Sequence, residues 1–279
     1  MKTVSKKWTH LGLGAAFAGS ALLAACGQDA PKTDVTPEPK PVATKAVDPA
    51  PAPGPSAEGG EGEGGVAIDR AGTDPVVFRS ALAITEAHII AARDAFIAGK
   101  TDAAGEMFAH PVSEVLADVE PFLKQQGVAD FTDMLIDAST AVYDGSSNEE
   151  ISTRTDEIIT VLRAAAKKAP ENGASEAKIQ AGVVADQLDR AAVMYGLAGT
   201  SDEYEPYLDG YGFYKAAGNA YALEKDAITA EFPDAAAAIE KALERMGKAY
   251  ASVLRPETLD QNAAALTAAA SGVILAIGE

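Results

Sequence analysis

From Asp74 onward the chain has no run of alternating apolar and polar residues long enough for a strand, while helical signals are plentiful. The pattern predicts helices at about 75–98, 101–109 running into 111–126, 128–144, 147–168, 174–198, 203–231, 233–252 and 256–277. Punctuation supports these spans. Asp74 can cap a helix with Pro75 at its first position, Ser147 leads "SSNEE", Pro233 follows "TAEF", and Pro256 with Glu257 can open the last helix. Gly99, Gly127, Gly145, Gly173 and Gly199 fall at or beside the joins, where helices end. The last predicted helix carries about sixteen uncharged residues, too short and too rich in small residues for a membrane span, and is expected to lie buried in the core.

Eight helices divide into four and four around "KKAPENGAS" at 167–175. The first helix of each set ends alike, "FIAGKTDAA" at 96–104 and "GLAGTSDEY" at 196–204, so Ala, Gly and Asp recur one hundred positions apart. A duplicated four-helix unit explains that recurrence, as does a generic helix–loop–helix turn. The expected fold is all-α, with halves at about 74–169 and 173–279.

The first 26 residues change the picture of where this body resides. Lys2, Lys6 and Lys7 form a basic head, Leu11 to Leu23 an uncharged apolar stretch, and "LLAAC" closes it, which reads as a secretory signal over 1–25. The ending resembles the bacterial lipobox. That resemblance implies cleavage before Cys26, a lipid anchor (diacylglyceryl, with palmitate-type acyl chains) on its sulfur, and attachment to a membrane. Gly27, rather than an aspartate, follows the cysteine, which by the same resemblance implies the outer membrane, facing the periplasm. From Gly27 to about Thr73 proline, alanine, glycine and charge dominate, so 26–73 reads as a tether. Its ~45 residues span roughly 35–40 Å on average.

Composition narrows the partners. The 279 residues are 47% hydrophobic and 23% charged, with room for one large or two modest cores. The formal charge of −18 becomes −21 once the signal's three lysines are removed, because the signal carries no acid. Nucleic acid is therefore a poor partner, and such a surface suits a solvated protein or one that handles cations. Cys26 is the only cysteine, so no intramolecular disulfide can form.

Candidate chemistry begins with "HIIAARDAFIAGKTDAAGEMFAHPVSE", residues 88–114. His88 and His110 lie eleven positions either side of Gly99, so a short turn there sets the two imidazoles level on antiparallel helices. Glu106, His110 and Glu114 follow at intervals of four, one stripe on a continuous helix, and Glu86 on the facing helix lies level with position 112. Two imidazoles with one or two carboxylates make a first shell for zinc, iron or copper. Pro111 predicts a break that can swing Glu114 off the stripe. A hydrogen-bonded core histidine at 88 and a helix-break histidine at 110 are the structural alternative.

A secreted, tethered, two-half helical body with a histidine in its first helix resembles the imelysin family, whose members are associated with iron uptake and carry a G-x-H-x-x-E motif. The resemblance covers the architecture over about 75–277 and one motif residue. In "TEAHIIA" the histidine is His88, Ala91 stands at the glutamate position, and Glu86 stands where the glycine would be. It implies an iron-linked role with His88 as a ligand.

Tyrosines form the other concentration. Tyr204, Tyr207, Tyr211, Tyr214 and Tyr221 are spaced 3, 4, 3 and 7, a single helical face. They either pack between helices with hydroxyls at the rim or, with Gly210, Gly212 and Gly218 leaving space, wall a ligand through Tyr207, Tyr211 and Tyr214. His110 and Gly210 are one hundred positions apart, which points to a shared site between the halves. There is no G-x-S-x-G elbow and no H-E-x-x-H, and no general base stands out beyond the histidines, so the chain does not read as an enzyme. The expected function is a lipid-anchored periplasmic binding protein for a metal ion or small ligand. A non-catalytic envelope scaffold that offers the tyrosine face to a protein partner is the alternative, and an apolar ligand in the small-residue core is a third.

Overall fold

The side chain of Asp74 accepts hydrogen bonds from Val76 N and Val77 N, and Pro75 occupies the first turn, so helix α1 (Pro75–Ile97) starts where the sequence places it. In this computed structural model, residues 68–278 are described. The expected signal peptide, the expected lipid anchor at Cys26 and most of the expected tether lie outside the described residues. Ahead of α1, Ile68–Arg70 form a 3₁₀ turn and Ala71 is fully buried, so packing begins a few residues before Asp74.

Helix α2 (Thr101–Pro111) follows a turn in which Gly99 takes φ 77°. It continues through a π turn, Val112–Leu116, into α3 (Ala117–Gln125). Pro111 therefore widens the helix rather than breaking it. Its ring lacks a donor and crowds the preceding turn, and the wider π turn absorbs both defects. Then come α4 (Thr132–Ala141), α5 (Asn148–Ala166), α6 (Glu176–Ala198), α7 (Glu205–Glu231), α8 (Pro233–Ala249) and α9 (Ala263–Gly278). Counting α2 and α3 as one bent rod, the fold is all-α with eight helices, and no strand occurs among the described residues. Ser147 and Glu150 close a reciprocal capping box on α5, and Ser175 caps α6.

Helix α1 is apolar nearly all round, and α2, α5, α6 and α7 enclose it. Among the described residues it alone is long and apolar enough to cross a membrane, yet most of it is buried inside the bundle. Four helices precede the 167–175 link and four follow it, but α1 touches members of both sets, so they share one core.

Two expectations about the C-terminal region fail. The last helix starts at Ala263, capped by Asn262 on Ala265 N, rather than near Pro256. Tertiary hydrogen bonds hold the intervening segment off helical geometry. Tyr204 Oη donates to Val253 O, Tyr207 Oη to Ser252 O, and Arg255 Nη2 to Ala198 O and Ser201 O, while Tyr195 Oη accepts from Gln261 N. Nor is α9 a buried core helix. It lies against α6 and α8 with Leu266, Ala270 and Val273 inward, and Leu275 is 71% exposed. Alanine and glycine dominate it, and such small residues gain little by burial.

Candidate metal centre

His88 sits midway along the enclosed helix α1 and is buried. Its Nδ1 lies 2.8 Å from the carbonyl of Ile84, one turn earlier. A carbonyl only accepts, so in the neutral ring Nδ1 carries the hydrogen and Nε2 offers its lone pair outward. That Nε2 is 3.6 Å from Asp209 Oδ1 on α7, a carboxylate with no side-chain exposure.

His110 arrives from α2 across the Gly99 turn, at the level the equal spacing predicts. Its ring centroid is 5.9 Å from that of His88, with the planes at 69°. One ligand atom from each of His88, His110 and Asp209 lies within 4.8 Å of the other two. Two imidazoles and a carboxylate from three helices can hold a metal ion. Ligand atoms around a tetrahedral zinc with bonds of ~2.0 Å stand about 3.3 Å apart, so closure by at most about 1.5 Å completes the set. His110 is the most exposed of the three, with 17% of its side chain accessible. Its Nε2 also lies 3.6 Å from Glu205 Oε1, half exposed at the start of α7.

Glycines set how closely α7 approaches. A Cβ on Gly212 would fall 2.5 Å from the carbonyl oxygen of Ala87, the residue before His88. A Cβ on Gly210 would fall 1.9 Å from Tyr250 Oη. These glycines let backbone meet backbone and ring, and Asp209 reaches His88 as a result. Phe213 stands edge-on to His88, ring centroids 5.7 Å apart, and closes the apolar side.

None of the acids proposed from spacing belongs to the three-residue group. Glu106 is exposed, because each four-residue step drifts about 40° round the helix. Glu114 is half-buried in the π turn with its Oε2 enclosed, near the histidines in sequence but outside the three-residue group. Glu86 faces away, bound to Arg163. Asp209 is the member of the group that spacing missed. Its signal was an acid set singly among apolar and aromatic residues in "YLDGYGF", one position from the Gly210 that pairs with His110 at the hundred-residue offset.

The tyrosines bind the helices together rather than walling the histidine pocket. Tyr207 donates to Ser252 O, Tyr211 donates to Asp94 Oδ2 at 2.7 Å, and Tyr214 stacks on Tyr250 with centroids 6.3 Å apart. Tyr207, Tyr211 and Tyr221 are buried, while Tyr204 and Tyr214 are half-buried against the core. Burial pushes the hydroxyls of Tyr204 and Tyr207 up to about 12, and lifts Tyr211, beside Asp94, and Tyr250 further. No protein-family model matches the chain, and no curated protein or solved structure matches it either.

Proposed function

We propose that this protein is a lipid-anchored binding protein of the bacterial envelope that captures a transition-metal ion through His88, His110 and Asp209. The convergence of two imidazoles and one buried carboxylate within 4.8 Å carries the reading. Two histidines with one carboxylate and open positions suit iron(II), and the same donors suit zinc, with copper a weaker fit to the carboxylate. The lipobox ending at Cys26 supports attachment to a membrane, and Gly27 supports the outer one. The resemblance to the imelysin family, carried by the tethered two-half helical architecture and by His88 alone of its motif, points the same way, toward iron handling. In this reading the protein binds and carries no catalytic step.

Glu114, four residues beyond His110, is the donor best placed by sequence to complete the shell when the ion arrives. Glu205 at the mouth adds negative charge that draws a cation in.

Elemental analysis of protein purified without chelators tests the proposal. About one equivalent of metal is expected, falling to background in His88→Ala/His110→Ala and in Asp209→Asn. Metal at a hundredfold excess over Kd should add about 2.7 kcal/mol of stability to the wild type and none to the variants. Absence of metal, with no thermal shift from added iron(II), zinc or copper, refutes it. The scaffold alternative draws on a different observation, the exposed Ile274 and Leu275 on α9.

A further inference from the structure

On a face of α1 other than the one that carries His88, a cavity of about 320 Å³ opens between α1, α5, α6 and α7. Its size falls in the range of small-molecule sites. Leu82, Leu162, Val183 and Leu223 give it an aliphatic lining, and small residues such as Ala216 and Ala220 leave the space. The wall of α7 is bent there. Glu224 takes φ −129° and ψ 20°, off helical geometry, and the side chain of Gln180 donates to the carbonyl of Ala220 one turn before it.

The charges on this wall are not balanced in their hydrogen bonding. Glu86 is buried and well paired, accepting from Arg163 Nε at 3.1 Å, Arg163 Nη2 at 2.6 Å and Asn219 Nδ2 at 3.3 Å. Glu176 is gripped by both terminal nitrogens of Arg79. What is left unspent is mostly donor. Arg79 Nε is enclosed without an acceptor among the described residues, Arg163 Nη1 takes no part in the Glu86 pair, and Lys167 forms no ion pair there. Of the three carboxylates in the lining, Glu86 and Glu176 are already paired with arginines; Glu224 and the side-chain oxygen of Gln180 belong to α7 and α6, across from the cations of α1 and α5. A ligand that complements such a wall brings acceptor oxygens to the α1–α5 side and a hydrocarbon body to the rest.

We propose that this cavity binds a small amphipathic anion, a carboxylate with an aliphatic body of medium length. The site is separate from the histidine group and rests on no part of the metal reading. The unspent arginine and lysine donors hold the carboxylate, and the leucine and valine surface takes the chain. On a protein this acidic, a pocket whose free polar capacity is cationic is the place where an anion finds a partner.

Calorimetric titration of the full chain with octanoate tests this. A ligand of about ten heavy atoms is expected to bind with Kd between roughly 10 μM and 1 mM. Lys167→Glu, at an exposed position, should weaken octanoate about tenfold or more, and Leu223→Trp, also exposed, should block the cavity. Unchanged melting curves would show that both variants fold. The His88→Ala/His110→Ala variant should bind octanoate as the wild type does, which keeps this test apart from that of the metal site. Absence of octanoate binding, equal binding by Lys167→Glu, or a preference for octylamine or leucine overturns the proposal.

Discussion

Replacing Gly212 with alanine tests whether the approach of α7 to α1 builds the candidate metal centre proposed above. The new Cβ would lie 2.5 Å from Ala87 O, 3.0 Å from Ala87 C and 3.2 Å from Ala91 Cβ. Non-bonded contacts of this kind relax only near 3.5 Å, so the helices must part by about 1 Å. Two of the three atoms are backbone, so no rotamer change relieves them. Overpacking of this kind costs typically 1–3 kcal/mol. The upper end applies here, offset by the ~1 kcal/mol that alanine gains over glycine within a helix. The net loss is about 2 kcal/mol, a fall in Tm of roughly 4–8 °C for a body of this size. The same displacement acts on Asp209, three residues away, and lengthens its 3.6 Å approach to His88, so metal affinity should fall with stability. Gly218→Ala on the same helix is the control. Its Cβ would meet nothing nearer than Leu243 Cδ2 at 4.0 Å, so the propensity gain should stand alone and raise Tm. Thermal unfolding followed by circular dichroism, with metal content measured in parallel, reads both effects. A Gly212→Ala protein that melts at or above the wild-type temperature with its metal content intact would refute the reasoning.

Two further outcomes follow from local features. Tyr204 and Tyr207 hold their protons up to about pH 12 in the fold, against an ordinary value near 10, so the folded state binds protons more tightly than the unfolded one. Their contribution to stability is complete below pH 10 and is lost as pH rises toward 12; phenolate absorbance from these rings should appear there together with loss of helicity. Ionisation of all eight tyrosines near pH 10 with the fold intact would contradict it. Ser147→Ala removes a cap and half of a reciprocal pair on α5, and should cost about 1 kcal/mol. Chemical denaturation should show a lower midpoint with an unchanged slope.

Much of the fold was legible because its signals are local. Asp74 with Pro75, Ser147 with Glu150, and Gly99 at positive φ each act within one turn of chain, and no distant contact overrides them. The His88–His110 pairing was legible for a related reason. A short hairpin makes height along one helix a function of height along the other, so equal spacing about Gly99 became nearness in space. At Pro256 the same kind of signal misled, because helix-start chemistry there competes with hydrogen bonds from Tyr204, Tyr207 and Arg255 to the backbone, and the distant partners win.

The amino-acid pattern by itself determined the helical class, most helix ends and the level at which two imidazoles face each other. Each of these depends on residues only a few positions apart or on the geometry of one turn. Only the tertiary structure decided that Asp209 completes the group, that Glu106 does not, and that the tyrosines spend their hydroxyls on the fold. Those outcomes depend on how far α7 can slide against α1, which is set by the absence of a side chain at Gly212 and by the shape of the core around it. The same holds for the cavity beside Glu86, which exists because four helices meet around small residues and a kink, an arrangement spread over more than a hundred positions of chain.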